Sequence, residues 1–169
     1  MTNVNTIEQL FVEELRDVYS SETQIAKALP KLVEAASSAD LKSIFEHQLK
    51  ETQGQIQRLD KAFKLLGTNP NGKTCDGMKG ILTEGTELLH GTRTGDIRDV
   101  VLISAGQKVE QYEMAEYGTV RSYAQNLNRQ EIAGLLLETL EEKRAANNKL
   151  TEISQKINGR ALHAAWQDG

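Results

Sequence analysis

The sequence predicts an all-α protein built as a four-helix bundle, in which two helix hairpins are joined by one long crossover containing a short fifth helix. Three observations carry this prediction. Apolar residues recur three and four positions apart over four long stretches, which is the period of an amphipathic α-helix. No stretch shows the alternating, β-branched pattern of strands, and the chain has only two prolines. A chain of 169 residues is also long enough for one domain with a substantial core.

The first hairpin has clear start and stop signals. Thr6 begins a capping-box pattern, and the helical period that follows predicts a helix over about residues 6–36. Pro30 lies within this pattern, so we expect a kink there and not a stop, because the apolar period resumes after it. Ser38 supplies the next start signal, and the second helix is predicted to end at Gly67.

The crossover and the second hairpin follow. The stretch TNPNGKTCDG is the strongest loop signal in the chain, and a short amphipathic segment over residues 78–90 comes after it. A third helix is predicted over about residues 96–126. After a break at residues 126–128, a fourth helix is predicted to end at about residues 158–159. We therefore expect one domain over residues 1–160 and a C-terminal tail over residues 161–169.

Composition and charge exclude several classes of protein. The net charge of −4 comes from interspersed residues of both signs, without the basic face that binds phosphates, so we expect no nucleic-acid partner. The N-terminal sequence MTNVNTIEQLFVEEL lacks the features of a signal peptide, and no apolar run approaches the ~20 residues that span a bilayer. Cys75 is the only cysteine, which excludes an internal disulfide. We expect a cytoplasmic protein without a membrane partner.

An internal repeat relates the two hairpins. When Glu22 is aligned with Glu113, the same shift aligns Glu51 with Glu142. Apolar positions then fall on apolar positions, as in the pairs Val18 and Val109, Phe45 and Leu136, and Leu59 and Leu150. Each half therefore carries one glutamate per helix at the same separation, and the repeat predicts carboxylates from four helices at one level of the bundle.

The helical angle of about 100° per residue separates these glutamates into two groups. Glu22 and Glu113 lie near the centres of the apolar stripes of the first and third helices, so we predict that they point inward. Glu51 and Glu142 lie at the edges of their stripes, where a glutamate is either a ligand or a solvated charge. Glu110 lies on a shoulder of the third stripe, and its counterpart in the repeat is a tyrosine.

The neighbouring polar residues have simpler interpretations. Glu116, Glu138 and Glu141 are predicted to be surface charges. Tyr19 and Tyr117 are interpreted as core tyrosines with bonded hydroxyls. The side chains that would hydrogen-bond the glutamates in the absence of a metal are Gln48, Gln55 and Thr139. Cys75 is interpreted as an incidental thiol in a loop, since no histidine or aspartate pattern accompanies it.

Several inward carboxylates at one level require cations, protons or bonded partners, because an isolated buried charge is strongly unfavourable. Carboxylates on facing helices of a bundle are the ligands of di-iron and di-manganese sites. We therefore expect a site for two iron or manganese ions, or for none, with five candidate ligands: Glu22, Glu51, Glu110, Glu113 and Glu142. The histidine that usually follows such a glutamate by three residues is absent, because those positions hold Gly54 and Ala145.

The sequence resembles the YciF/YciE-type bacterial stress proteins, and most closely the YciF branch. The stretches that carry this resemblance are YSSETQIAKALPKL, KETQGQI, QKVEQYEMAEYGT and LLLETLEEKR, together with CDGMKGI in the crossover. The resemblance implies a ferritin-like, rubrerythrin-like fold, a cytoplasmic homodimer and a di-metal position. It also implies a histidine at the position of Gln48 and an acid at the position of Lys143, and the chain departs from the pattern at both.

Two functional hypotheses follow. In the first, a carboxylate-rich metal site reacts with oxygen or peroxide, or oxidises ferrous iron, during stress. In the second, the protein is a metal-free structural or protective homodimer without catalytic activity. The repeated glutamates favour the first hypothesis, and the absent histidines favour the second.

Overall fold

A computed structural model describes residues 4–167 of the chain. Within those residues the secondary structure is entirely helical, with no strand. The helices are α1 (Ile7–Ala35), α2 (Ala39–Leu66), α3 (Asp76–His90), α4 (Asp96–Asn126) and α5 (Gln130–Gln167). The prediction of four long helices with a short fifth helix in the crossover is therefore confirmed.

The long helices pack as two hairpins. α1 contacts α2, α4 contacts α5, and the hairpins meet through the pairs α1 with α4 and α2 with α5. The crossover helix α3 lies against α4 and, less extensively, against α1. None of the helices in residues 4–167 combines the length and the apolar content that crossing a membrane requires.

The predicted helix boundaries of the first hairpin are confirmed by their caps. The Thr6 hydroxyl accepts a hydrogen bond from the Gln9 backbone N–H at 3.2 Å. α2 ends at Gly67, whose φ of 66° is the left-handed conformation that glycine adopts without a Cβ clash. Pro30 lies inside α1, and the helix continues beyond it to Ala35 as predicted.

The predicted end of the last helix is wrong. α5 continues through Gly159 to Gln167, so residues 161–167 of the expected tail are helical, and only 168–169 lie outside the described residues. A glycine inside a helix costs only about 1 kcal/mol relative to alanine. Burial of Ile157 in the core offsets this cost, and beyond the glycine the Arg160 guanidinium contacts the Asp96 carboxylate of α4 at 2.9 Å on the surface.

The apolar core is divided along the bundle axis into two clusters. One contains Phe11, Leu15, Val18, Leu59, Phe63, Val120, Ile132 and Leu136. The other contains Ile25, Leu29, Leu41, Phe45, Leu102, Ile103, Leu150 and Ile157. Glu22 lies between Val18 and Ile25 on α1, which places its carboxylate at the boundary between the two clusters. Charged residues therefore form a layer between two apolar layers.

A second buried carboxylate, which we did not predict, fixes the turn between α1 and α2. Asp99 on α4 is fully buried, and its two oxygens accept hydrogen bonds from the backbone N–H groups of Ser37 and Ser38 at 2.7 and 2.8 Å. These two N–H groups have no helical acceptor at the start of α2, so a side chain from another helix satisfies them.

We expect Asp99→Asn to lower the free energy of unfolding by about 2 kcal/mol, because the amide can accept only one of the two bonds and places its NH₂ against the other donor. Urea unfolding measures this loss. Glu46→Gln on the exposed face of α2 is the control, and a change in Asp99→Asn no larger than in that control would contradict the assignment.

Candidate functional site: a buried acid cluster around Lys143

Two glutamates from different hairpins share one lysine in the core. Glu22 on α1 and Glu113 on α4 are both fully buried, as predicted. The Lys143 ammonium on α5 lies 3.2 Å from Glu22 Oε1 and 2.9 Å from Glu113 Oε2. The Lys143 side chain is only 4% exposed, so this ion pair is formed away from water. The chain itself thus supplies a cation at the level where carboxylates were expected to bind metal.

The cluster keeps Lys143 protonated. Burial alone would lower the pKa of this ammonium, but the adjacent carboxylates of Glu113, Glu22 and Glu110 outweigh burial and raise the pKa above its usual value. Lys143 is therefore a fixed positive charge throughout the physiological pH range. Losing its proton to admit another cation would be strongly unfavourable.

Tyr117 completes the environment of Glu22. It is fully buried, and its hydroxyl donates a hydrogen bond to Glu22 Oε1 at 2.6 Å. Burial and the charge of Glu22 raise the pKa of Tyr117 well above its usual value, so the hydroxyl remains a donor. The interpretation of Tyr117 as a core tyrosine with a bonded hydroxyl is confirmed.

Glu110 is the third buried acid of the cluster, with 5% of its surface exposed. Gln48 on α2 donates its side-chain amide to Glu110 Oε1 at 3.0 Å. Burial raises the pKa of Glu110 to about 7, against the opposing effect of Lys143. Among the described residues, Glu110 Oε2 and Glu113 Oε1 have no hydrogen-bond partner.

Protons balance the remaining charge. One ammonium faces three buried carboxylates, and burial also raises the pKa of Glu113 well above its usual value. Because the pKa of Glu110 is about 7, the acid cluster gains or loses a proton near neutral pH. The arrangement can therefore store a proton beside a permanent internal cation.

Glu116 was predicted to be a surface charge, and this is wrong. It is 9% exposed, and the Ser21 hydroxyl donates to its Oε1 atom at 3.0 Å. The thiol of Cys75, the residue before α3, lies 3.8 Å from the same oxygen. Burial raises the pKa of Glu116 to about 8. The crossover covers this side of α4. The angular position of Glu116 around α4 gives no information about a segment that packs on it from elsewhere in the chain.

Cys75 is buried at the start of α3, where its Sγ atom lies 3.3 Å from the Tyr112 hydroxyl. A Cβ added at Gly77 would lie 2.2 Å from that hydroxyl, so the tyrosine packs directly on the backbone of α3. Ser20 on α1 accepts a hydrogen bond from the Cys75 backbone N–H at 2.9 Å. Cys75 therefore helps to pack the crossover, which the sequence interpretation of an incidental loop thiol missed.

The remaining two candidate ligands have partners of their own at the edge of the bundle. Arg58 binds Glu142 through both carboxylate oxygens, at 2.6 and 2.9 Å, and Gln55 donates to the same carboxylate at 2.8 Å. Although burial opposes it, these bonds lower the pKa of Glu142. Glu51 lies 3.3 Å from His47 Nδ1. Both glutamate side chains are 23% exposed, which agrees with their predicted edge positions.

The residues as placed do not fit a di-metal centre. Within residues 4–167, no three histidine, cysteine, aspartate or glutamate side chains form a group that could hold a metal ion. Lys143 lies between Glu22 and Glu113, and Arg58 binds Glu142. The repeat is also broken at the lysine, because its counterpart in the first hairpin is the buried Thr52.

The sequence contains a signal that Lys143 is buried, because this charged residue lies in the middle of the apolar face of α5. The buried residues of α5 include Leu136, Leu140, Lys143, Ala146 and Leu150. Their spacings of three and four residues define one helix face, with Lys143 in its middle. A lysine at the centre of an apolar stripe predicts a buried ammonium, and such an ammonium requires inward carboxylates on the facing helices.

The fold of two helix hairpins with buried carboxylates on facing helices is of the ferritin-like class, as its likeness to solved structures shows. A solved ferritin-like, diiron-carboxylate protein from Bacillus anthracis shares this fold at a TM-score of 0.68 and 16% identity, over 89% of this chain and 99% of that one.

More particularly, the chain belongs to the family described as "Domain of unknown function (DUF892)", whose model matches residues 6–163. Protein YciF of Escherichia coli strain K12 is 40% identical over 96% of this chain and 99% of its own length. The crystal structure of the E. coli stress protein YciF matches at a TM-score of 0.89, over 92% of this chain and 99% of that one. YcfI from Rhodopseudomonas palustris matches at a TM-score of 0.86 and 40% identity, over 88% of this chain and 95% of that one. The resemblance to YciF-type stress proteins is confirmed.

Proposed function

We propose that this protein acts in the bacterial stress response as a metal-independent structural or protective protein, held together in its core by an internal ammonium. The observation that carries the proposal is the position of Lys143, whose Nζ atom lies 2.9 Å from Glu113 and 3.2 Å from Glu22. An ammonium at that distance satisfies the carboxylates that a divalent ion would otherwise have to neutralise.

Two features of relatives agree with this proposal. E. coli YciF is named as a stress protein, and R. palustris YcfI has been proposed to be a structural protein. We extend both descriptions to this chain because its identity to each is about 40% over nearly the full length of the relative. A cytoplasmic homodimer is part of the proposal.

A metal-dependent redox function is the second candidate, and two unbonded oxygens favour it. Glu110 Oε2 and Glu113 Oε1 are buried without a hydrogen-bond partner in the described part of the chain. In this candidate the five glutamates at positions 22, 51, 110, 113 and 142 bind iron or manganese. The ammonium of Lys143 would have to leave the cluster first, against the raised pKa that keeps it charged.

Anaerobic loading with ferrous iron, followed by desalting and elemental analysis, separates the two candidates. We expect the wild-type protein to retain no more iron than a Glu22→Gln, Glu113→Gln variant. Lys143→Glu exchanges the internal cation for a fourth carboxylate, and we expect ferrous iron to raise its melting temperature. Lys42→Glu on the exposed face of α2 is the control for a change of charge alone.

Iron bound to the wild type in a fixed ratio, and lost in the Glu22→Gln, Glu113→Gln variant, would overturn the metal-independent proposal, as would the same result after loading with Mn²⁺. This result does not depend on whether Lys143→Glu folds, because the wild-type measurement decides between the candidates by itself.

A further inference from the structure

A groove lies between α1 and α3, and no residue of the acid cluster lines it. It is open to solvent and has a volume of about 620 Å³, within the range of small-molecule sites. Its walls are one face of α1 and one face of α3, and its floor is α4. The residues that line it are Gln24, Lys27, Ala28, Lys31, Leu32, Ala35, Ile81, Leu82, Gly85, Thr86, Leu89, His90, Arg98, Ala105 and Val109.

The groove results from the way α3 packs. Gly85 is buried, and a Cβ added to it would lie only 3.1 Å from the Ala105 side chain, so α3 approaches α4 closely at this point. α3 contacts α4 more extensively than it contacts α1. The space between α1 and α3 therefore stays open over residues 24–35 of α1 and residues 81–90 of α3.

The interior of the groove is apolar. Leu32 on α1, Ile81, Leu82 and Leu89 on α3, and Val109 on α4 contribute branched aliphatic side chains, and three alanines contribute methyl groups. Apart from Gln24 and Thr86, every polar residue in the lining is basic, and none of the acidic residues within 4–167 lines the groove. This chemistry suits a ligand with a long aliphatic part.

Three of the four basic lining residues, Lys31, His90 and Arg98, lie toward one end of the groove. His90 is the last residue of α3, and Arg98 immediately precedes Asp99, which binds the turn after α1. Lys31 belongs to the C-terminal part of α1, and the buried Arg98 Nε atom has no hydrogen-bond partner among the described residues. Arg98 Nη2 donates to the Thr92 carbonyl at 2.6 Å, which fixes the guanidinium at this end of the groove. A guanidinium and an ammonium that line the same groove are well suited to bind a carboxylate.

We propose that this groove binds a single-chain anionic amphiphile of the fatty-acid class, with the alkyl chain along the α1–α3 walls and the carboxylate at the basic end. The proposal is independent of the function proposed above, because it uses no residue of the acid cluster. The apolar walls suit an alkyl chain, and the basic end suits a carboxylate. The lack of acidic residues in the described lining also favours an anionic head over a cationic one.

Titration calorimetry with octanoate, dodecanoate and tetradecanoate, each below its micelle concentration, tests the alkyl part. Affinity should rise with chain length by up to about fourfold per added methylene, because each one is buried between the two helices. Dodecyltrimethylammonium, which has the same chain and a cationic head, should bind much more weakly. Equal affinities for the three carboxylates would overturn the proposal.

A charge-reversal pair tests the basic residues. Lys27 and Lys31 are exposed on the groove rim, so Lys27→Glu, Lys31→Glu should fold normally and bind tetradecanoate about tenfold or more weakly, from the loss of two favourable charges. The matched control, Lys42→Glu, Lys50→Glu, makes the same change on the exposed face of α2 and should retain wild-type affinity. If the two pairs behave alike, the groove is not the site.

Two further measurements exclude other occupants. Flotation with phosphatidylglycerol vesicles reports binding to a bilayer, and vesicle binding without binding of the monomeric carboxylates would overturn the proposal. Light scattering on the two lysine pairs reports the oligomeric state. If Lys27→Glu, Lys31→Glu alone dissociates the protein and tetradecanoate does not bind the wild type, a second copy of the chain covers the groove, and the proposal fails.

Discussion

Lys143→Met is expected to lower the free energy of unfolding by about 3–5 kcal/mol at pH 8, because removal of one partner from a buried ion cluster leaves uncompensated charge in the core. The lysine is the only basic side chain within ion-pair distance of Glu22 and Glu113 among the described residues. The pKa of Lys143 is raised above its usual value of 10.5, so its stabilising effect is fully present at pH 8. That effect would be lost only as pH rises through the raised pKa of the lysine. Denaturant unfolding monitored by circular dichroism measures the loss.

The destabilisation of Lys143→Met should be smaller at pH 5 than at pH 8. Without the ammonium, the pKa values of Glu113 and Glu110 rise further, so at pH 5 both of these acids are neutral in the folded protein and less uncompensated charge remains in the core. A second variant, Lys143→Met with Glu113→Gln, should recover part of the stability at pH 8 for the same reason.

Lys50→Met is the control, since Lys50 is exposed on α2 and a surface change of this kind stays within about 0.5 kcal/mol. A loss in Lys143→Met no larger than in Lys50→Met, or equal losses at pH 5 and pH 8, would show that the lysine does not stabilise the cluster.

The helices were predictable because their signals are local. A period of three to four residues, a capping threonine at residue 6 and a glycine at residue 67 act within one or two turns of chain. The end of α5 was not predictable in the same way. Gly159 is a local stop signal, and it is overridden by packing against residues far apart in the sequence, since Ile157 belongs to the same core cluster as Leu102 and Ile103 of α4.

The inward orientation of Glu22 and Glu113 was also predictable, because each lies at the centre of an apolar stripe and the internal repeat relates them. The group that neutralises their charge could not be predicted. That depends on α5 bringing Lys143 to a point between α1 and α4, which no single helix encodes. The prediction that Glu116 is a surface charge was wrong for a related reason. Its burial comes from the crossover that carries Cys75 and from Ser21 on α1.

The position of the acid cluster between two apolar clusters gives its charge state a large influence on stability. Glu22, Glu110 and Glu113 are buried away from bulk solvent, and one lysine cannot neutralise all three. The protein must therefore bind protons in order to keep this layer intact. Stability and proton binding are coupled through the same residues that were predicted as metal ligands.

The wild-type protein is therefore expected to lose stability as pH rises, by about 3–5 kcal/mol between pH 5 and pH 9. Burial raises the pKa of Glu110 to about 7 and of Glu116 to about 8, from a usual value of 4.5. The folded protein then binds more protons than the unfolded chain, so these groups stabilise it fully below about pH 4.5 and lose their effect as pH rises through 7 and 8. Urea unfolding at a series of pH values measures the slope.

A matched pair of variants assigns that slope to the buried acids. Glu110→Gln with Glu116→Gln keeps an acceptor for Gln48 and for Ser21 while removing both titrations, so its stability should change much less between pH 5 and pH 9. Glu138→Gln with Glu141→Gln removes two exposed carboxylates of α5 and should retain the wild-type slope. If stability is flat in the wild type, or if both double variants retain the same slope, Glu110 and Glu116 are ionised throughout this pH range. The acid cluster then has a source of positive charge beyond Lys143, which would favour the metal-dependent candidate.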